Sequence, residues 1–135
     1  MMSVVTKLAA FIFLTLIFLT PLRVGTSVLV MGMILYSLGF VLMVVALINF
    51  RNTPMGEPVT RGVYRISRNP QWVALVMVML GIAIAIGLWT AIILAAVTMV
   101  AGHFRILAEE KACLEQYGES YRQYMERVPR YLLVL

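Results

Sequence analysis

The chain has 135 residues, of which 62% are hydrophobic and 13% are charged, and its mean hydropathy is +0.95. A soluble domain is about half apolar and roughly a quarter charged, and one this small could not bury so much apolar surface. These values exclude an ordinary soluble domain and indicate a single membrane domain. The net charge is +5, but no basic stripe lies on a soluble fold, so we expect no nucleic-acid partner.

The first apolar run covers residues 4–20, with Lys7 near its start. A cleaved signal peptide is the alternative interpretation, but no A-x-A-like cleavage site follows the run. We therefore predict a first transmembrane span here, followed by a tight turn at Pro21 and Gly25. The next run, residues 27–50, is uncharged and longer than the roughly 20 residues that a span needs. Its Gly32 and Gly39 lie seven residues apart, on a face that a neighbouring helix can approach closely.

A long polar connection, residues 51–69, separates this run from the next. Connections of this length without periodicity are usually functional or disordered. Hydrophobic residues within it argue against disorder: Val59, Val63, Tyr64 and Ile66. The connection ends in Asn69 and Pro70, a preferred N-cap and a residue suited to the first helical position, so a helix is predicted to begin there.

Residues 71–104 carry no formal charge. As one helix they would extend about 50 Å, well beyond a hydrocarbon core of roughly 30 Å. The stretch must therefore fold back on itself, and the segment around Gly87 and Trp89 is the natural hinge. The prediction is a tight hairpin of two spans, residues 70–87 and 89–104.

The remaining segment, residues 105–128, alternates apolar and charged side chains at helical spacing, which predicts an amphipathic helix at the membrane surface. Gly118 is a candidate break within it, and Pro129 ends it. Basic residues gather in the long connection and in this tail, which marks both as cytoplasmic. The predicted fold is thus an all-α integral membrane protein with four transmembrane helices, a cytoplasmic C-terminal helix and both termini cytoplasmic. In a prokaryote the membrane would be the inner or plasma membrane.

Two polar clusters meet at the cytoplasmic face, because the hairpin returns the chain to the side from which it left. One cluster precedes the hairpin and the other follows it, about 35 residues later. A pocket between them would have one wall in lipid and a mouth in the cytosol. That geometry suits the joining of a water-soluble reagent to a lipid-soluble one.

Several motifs in these clusters resemble the family of isoprenylcysteine carboxyl methyltransferases and bacterial phospholipid methyltransferases. The resemblance covers about residues 55–131, and the order and spacing of the motifs fit. The motifs are Gly62-Val63-Tyr64, Arg68-Asn69-Pro70-Gln71-Trp72, Arg105-Ile106-Leu107-Ala108-Glu109-Glu110, Tyr117-Gly118-x-x-Tyr121-x-x-Tyr124 and Val128-Pro129.

This resemblance implies methyl transfer from S-adenosylmethionine to a lipophilic or membrane-partitioned acceptor: a carboxylate, thiol, amine or phospholipid head group. It further implies that Arg105 faces the reacting end of the substrate and that Glu109 holds a polar edge of the cofactor. The other implied cofactor-binding residues are Glu57, Pro58, Val59, Tyr64, Asn69, Pro70, Gln71 and Trp72. Asn69 stands where prenylcysteine enzymes carry His, which weakens the case for a prenylated protein substrate.

Elementary chemistry is compatible with these roles. Arg105 and Glu109 are four residues apart and share a helix face. A sulfonium cation is favoured beside aromatic rings and carboxylates. Free N–H groups at the helix start after Asn69 could donate hydrogen bonds to a bound carboxylate. If the acceptor were an amine or thiol, a base would be needed, and Glu109 or Glu110 would be the first candidate.

Other interpretations stay open. Arg105 and Glu109 could be a simple interfacial salt bridge, Asn69 and Pro70 a simple helix cap, and the C-terminal tyrosines packing residues. No metal site is predicted, since His103 lacks partner ligands. At the level of function, the alternatives are an NADPH-dependent membrane reductase of the steroid-reductase type and a non-catalytic membrane scaffold. The sequence predicts contact with membrane lipids and leaves the oligomeric state open.

Overall fold

The computed structural model describes residues 2–21 and 25–132. Within these ranges the chain is helical and contains no strand, so the predicted all-α class is confirmed there. The α-helices are α1 (Met2–Leu19), α2 (Ser27–Arg51), α3 (Pro70–Ile86), α4 (Trp89–Tyr117) and α5 (Glu119–Arg127), with a short 3₁₀ helix at Gly62–Arg65. The turn predicted around Pro21 and Gly25 lies partly outside the described residues.

The outer helix surfaces are apolar and exposed, as a bilayer requires. Two of the described helices, α2 and α4, are long and apolar enough to cross a membrane, and α3 is apolar but shorter. Along α2, large side chains such as Met31, Leu38 and Val41 are more than half exposed. A soluble monomer rarely exposes so large a contiguous apolar patch, so the protein is membrane-associated.

Helices α2 and α3 pack closely because glycines line the contact. If Gly32 or Gly81 were replaced by a larger residue, the new β-carbon would lie 2.5 Å from a backbone atom of the opposite helix. Gly39 faces α3 at a similarly short distance. The face predicted from the seven-residue spacing of Gly32 and Gly39 is therefore the α2–α3 interface, an example of small residues allowing backbone approach.

The chain reverses at Gly87 and Leu88, as predicted from the hinge segment. Gly87 ends α3 in the left-handed region, with φ of 70°, and its N–H bonds to the carbonyls of Ala83 and Ile84. Glycine favours this conformation because it has no β-carbon. Trp89 then begins α4 with 80% of its surface exposed. Although the two helices form a hairpin, α3 makes most of its contacts with α2.

The helix boundary predicted at residue 105 is wrong. Where a separate helix over residues 105–128 is predicted to follow the span 89–104, α4 continues unbroken to Tyr117. The break falls at Gly118, where φ is 59°, and α5 follows. Since nothing between residues 104 and 106 interrupts the backbone hydrogen bonds, the change from apolar to charged side chains alters what the helix contacts and leaves its axis intact.

Helix α1 packs against α4, with Phe13 inserted into the main apolar core. That core is formed by Phe13, Met79, Ala83, Ala91 and Ala95. Small alanines from α3 and α4 allow the three helices to meet closely. This core lies at the end of the bundle near the Gly87 turn, and the polar residues discussed next gather at the opposite end of α3 and α4.

We predict that Gly32→Ala destabilises the protein by about 1–3 kcal/mol, because the added methyl group meets backbone atoms of α3 and no rotamer can relieve the overlap. Thermal unfolding in detergent micelles measures this. Val41→Leu, which adds a methylene group on the exposed face of α2, is the matched control and should leave the unfolding temperature nearly unchanged. Equal unfolding temperatures for the two variants would contradict the close packing.

Candidate active site

A cavity of about 720 Å³ opens between the 51–69 connection, the start of α3, the second half of α4 and α5. Nine of the sequence-predicted site residues line it: Glu57, Pro58, Val59, Tyr64, Asn69, Gln71, Trp72, Arg105 and Glu109. Pro70 does not line the cavity; it is fully buried as the first residue of α3. The structure therefore brings the two predicted clusters together, while the role of each residue stays a prediction.

Residues 124–130, here called the C-terminal segment, hold the 51–69 connection in place. The Arg68 N–H donates to the Pro129 carbonyl at 2.9 Å, and the Ser67 hydroxyl donates to the Arg130 carbonyl at 3.2 Å. The Tyr124 hydroxyl donates to the carbonyl of Tyr64 at 2.7 Å, in a buried position. Since Tyr64 is also buried, these contacts fix the wall of the cavity that the connection forms.

The side chain of Asn69 does more than mark the start of a helix. It occupies the N-cap position with Pro70 at the first helical position, as predicted, but makes no capping hydrogen bond. Its Nδ2 donates instead to Glu110 Oε1 at 3.2 Å and to the Arg130 carbonyl at 3.3 Å. The simple capping interpretation of Asn69 is therefore wrong: its amide links α3 to α4 and to the C-terminal segment.

The start of α3 offers fewer free N–H groups than the sequence suggested. The amides of Trp72 and Val73 both donate to the Asn69 carbonyl, at 3.0 and 3.1 Å, and Pro70 has no N–H. A carboxylate bound there would depend mainly on Gln71, which lines the cavity. The prediction of a helix-end anion site is accordingly weakened, and the charge for an anion must come from side chains.

Glu110 is the centre of a buried charge network. Only 5% of its side chain is exposed. Its Oε2 accepts from Arg130 Nε at 2.9 Å, and its Oε1 lies 3.4 Å from Arg68 Nε. A buried carboxylate is tolerated when it is paired and hydrogen-bonded. Arg68 precedes α3, Glu110 belongs to α4 and Arg130 follows α5, so one carboxylate joins three segments that are distant in sequence.

Glu109 lies in a different environment from its neighbour. It accepts a hydrogen bond from Arg105 Nε at 2.7 Å, and both side chains are largely exposed at the cavity mouth. Arg105 and Glu109 therefore share one helix face, as predicted. They also form the salt bridge that the alternative interpretation of this pair predicted. Of the two candidate bases, Glu109 is accessible to a ligand, whereas Glu110 is occupied by Asn69 and Arg130.

The inner end of the cavity is apolar. Met43 of α2, Leu75 of α3 and Gly102 of α4 contribute to its lining. The Trp72 indole lies directly against Gly102, where an added β-carbon would overlap the ring. The glycine thus allows an aromatic side chain to lie close against α4. One cavity therefore joins a charged mouth to an apolar interior.

Burial disfavours the loss of a proton from three tyrosines, Tyr64, Tyr121 and Tyr124. It raises the pKa of Tyr64, partly offset by a hydrogen bond with Gln71 that lowers it, and it raises the pKa of Tyr121 and Tyr124 above the ordinary value of 10.0. Burial also raises the pKa of the Cys113 thiol. At neutral pH these groups donate hydrogen bonds and are poor bases. Tyr121 and Tyr124 pack with Val128, in agreement with the interpretation of the C-terminal tyrosines as packing residues.

Sequence reasoning missed Arg130 and the buried position of Arg68 and Glu110. Arg68 and Glu110 fall within the quoted motifs, but helix periodicity alone could not separate the inward Glu110 from the mouth-facing Glu109. Arg130 follows Pro129, beyond the last helix, so no pattern placed it. The five basic residues from Arg105 to Arg130 were assigned to topology, although one of them, Arg130, completes the network.

We predict that Glu110→Gln destabilises the protein by about 3 kcal/mol, because it leaves two buried or half-buried guanidinium groups without their carboxylate. Glu109→Gln is the matched control: its exposed salt bridge contributes less than about 1 kcal/mol. Thermal unfolding of both variants in the same detergent tests this. If the Glu110→Gln protein were as stable as the Glu109→Gln protein, Glu110 would not be the residue that stabilises the buried charge network.

A comparison with known families gives one match. The family model for phospholipid methyltransferase matches residues 29–120, more than half of the chain. No curated protein matches the chain. No solved structure matches it either. The matched region contains α2, the connection, α3, α4 and the first residues of α5, and so most of the cavity lining.

Proposed function

The chain belongs to the phospholipid methyltransferase family, and on that premise we propose that it transfers the methyl group of S-adenosylmethionine to the head group of a membrane lipid. The observation that carries the proposal is the shape of the cavity. Its charged mouth is lined by Glu57, Arg105 and Glu109, and its inner end by Met43 and Leu75. A polar donor and a lipid acceptor can meet in such a cavity.

The residues present fit the proposed methyl donor. A cavity of about 720 Å³ lies within the range of roughly 300–1,000 Å³ that small-molecule sites occupy. Tyr64 and Trp72 offer aromatic faces, which attract a sulfonium cation. Glu57 and Glu109 offer carboxylates for the amino and hydroxyl groups of the donor. Tyr64 and Glu57 belong to the connection, Trp72 to α3 and Glu109 to α4, so three segments contribute these groups to the cavity.

When bound, S-adenosylmethionine supplies a methyl carbon whose bond to the sulfonium sulfur breaks, with the electron pair going to sulfur, as an acceptor lone pair forms the new bond. The chain's contribution is to hold the two reactants in line and to exclude water. Trp72 lies against Gly102 and lines the cavity. Arg105 at the mouth is placed to attract an anionic part of the acceptor head group.

An ammonium head group must lose a proton before its nitrogen can attack. We assign Glu109 as the base that accepts this proton, because it lines the cavity and is accessible. Glu110 is unsuited to the task because Arg130 and Asn69 already occupy its oxygens. An acceptor that is already an anion would need no base, and Glu109 would then act on the donor alone.

For topology we propose four spans with both termini and the cavity mouth in the cytosol. Helix α4 has 29 residues and extends about 43 Å, longer than a hydrocarbon core of about 30 Å. The part of α4 from about Arg105 onward, nearly half of its length, would therefore stand in the head-group region and the cytosol. The cavity mouth lies beside this part of α4, where a soluble donor can reach it.

Single-cysteine labelling tests this topology. In a Cys113→Ala background, Gly56→Cys and Glu119→Cys should both react with a membrane-impermeant maleimide from the cytosolic side only. Trp89→Cys, at the α3–α4 turn, should react from the other side. Labelling of positions 56 and 119 from opposite sides would rule out the proposed arrangement.

Ligand titration tests the activity class. We expect purified protein in detergent to bind S-adenosylmethionine and S-adenosylhomocysteine in calorimetry, and Arg105→Ala and Glu109→Ala to weaken that binding while leaving the unfolding temperature unchanged within a few degrees. Arg122→Ala is the matched control, because it breaks a similarly exposed salt bridge, to Glu119, away from the cavity.

The same titration separates the alternatives. Binding to NADPH and to neither adenosyl ligand would identify a membrane reductase and refute the proposal. Binding to none of the three would favour a non-catalytic scaffold. To identify the acceptor, lipid extracts would be incubated with radiolabelled methyl donor, and label recovered in a phospholipid amine would support the proposed acceptor class.

A further inference from the structure

Arg68 is a buried cation whose hydrogen-bonding capacity is largely unused. Its side chain is 3% exposed and lines the cavity. Its Nη1 donates a long hydrogen bond, 3.4 Å, to the Met125 carbonyl. Its Nε lies 3.4 Å from Glu110 Oε1, close enough for charge attraction, but the geometry is not that of a hydrogen bond. Among the described residues this buried nitrogen has no hydrogen-bond partner.

Glu110 cannot neutralise both of its arginines. Arg130 makes the shorter contact, at 2.9 Å with a hydrogen bond. The nearer oxygen to Arg68 already accepts from Asn69 Nδ2. Two guanidinium groups therefore face one carboxylate, which leaves one positive charge in excess. Buried charge is costly unless it is paired, so this excess calls for an anion.

The other charged residues of the cavity do not supply that anion. Arg105 and Glu109 pair with each other at the mouth. Arg51 and Glu57 also line the cavity and carry opposite charges. Among the described residues that line the cavity, the excess charge therefore lies at Arg68, at the inner side of the connection.

We propose that Arg68 forms the anion-binding point of the cavity and binds an oxyanion of a ligand, either a carboxylate or a phosphodiester. This inference rests on the proposed function for the identity of the two ligands. The carboxylate would belong to the amino-acid part of the methyl donor, and the phosphodiester to the acceptor phospholipid. An Arg presents a planar group of donors that suits either anion.

The first experiment tests the anion site without reference to methyl transfer. Unfolding temperature is measured in detergent against inorganic phosphate, with chloride used to hold the ionic strength constant. Phosphate should stabilise the wild-type protein and Arg68→Lys, but stabilise Arg68→Gln much less. Arg122→Gln, with the same change in net charge at an exposed position outside the cavity, should respond like the wild type. Stabilisation of Arg68→Gln equal to that of Arg122→Gln would overturn the proposal.

The second experiment identifies the source of the anion by calorimetry on the wild type and Arg68→Gln. S-adenosylhomocysteine is compared with its decarboxylated analogue, and phosphatidylethanolamine with a dialkyl amine of the same chain length. Loss of roughly tenfold or more in affinity for the ligand of one pair that carries the oxyanion, without loss for its counterpart that lacks the oxyanion, supports that source. Equal losses within each pair would mean that Arg68 acts only on the fold and would overturn the proposal.

The two experiments also separate this inference from the proposed function. If the wild-type protein bound neither adenosyl ligand but kept an Arg68-dependent response to phosphate, the anion site would stand and the methyltransferase assignment would fail. If it bound both adenosyl ligands equally well with and without Arg68, and phosphate stabilised all variants alike, the methyltransferase assignment would stand and the anion site would fail.

Discussion

The cavity depends on one interaction: a buried carboxylate, Glu110, that holds Arg68 before α3 and Arg130 after α5. It adds to the hydrogen bonds that Ser67, Arg68 and Tyr64 make with residues 124–130, in a connection whose one helical turn in the described part of the chain is a short 3₁₀ helix. The network fixes the end of that connection next to α3 relative to α4. A ligand can then bind to a preformed surface, and less binding free energy is lost to ordering the protein.

A charged network at this position has a physical rationale. An apolar contact of similar size could give equal or greater stability, but it would be poorly directional. Carboxylate, guanidinium and amide groups impose angles as well as distances. Asn69, which donates to Glu110 and to the Arg130 carbonyl, adds a further constraint. The charges also stand next to a cavity proposed to bind charged ligands, where an apolar cluster could offer no attraction.

Much of the fold could be predicted from the sequence because bilayer proteins follow simple length rules. The uncharged stretch after Pro70 is too long for one crossing, and the turn at Gly87 follows from that. The glycine face of α2 could be recognised from the spacing of Gly32 and Gly39. The prediction failed at residue 105, because a change in hydrophobicity marks where a helix leaves lipid and carries no information about where its hydrogen bonds stop. Gly118, with its positive φ, was the better signal.

The candidate site was predicted as a set of residues, and the buried network around Glu110 was not. Nine of the ten implied residues line one cavity, because the motifs bring together segments that the hairpin makes neighbours. Asn69 was assigned to capping, since residue preference at helix starts is a local rule and its real partners lie on α4 and beyond α5. Arg130 lies outside every helix, and long-range charge pairing leaves no periodic trace in the sequence.

Two adjacent glutamates of α4 have different roles: Glu110 stabilises the fold, and Glu109 is the proposed proton acceptor. Successive residues of an α-helix point about 100° apart, so Glu109 and Glu110 cannot occupy the same environment. Glu110 points into the network and is held there by an arginine and an amide, while Glu109 reaches the mouth and pairs with Arg105 one turn earlier. Because α4 runs unbroken past both, the network that fixes Glu110 also fixes the direction of Glu109. The position of the proposed proton acceptor is thus a consequence of the interaction that holds the cavity together.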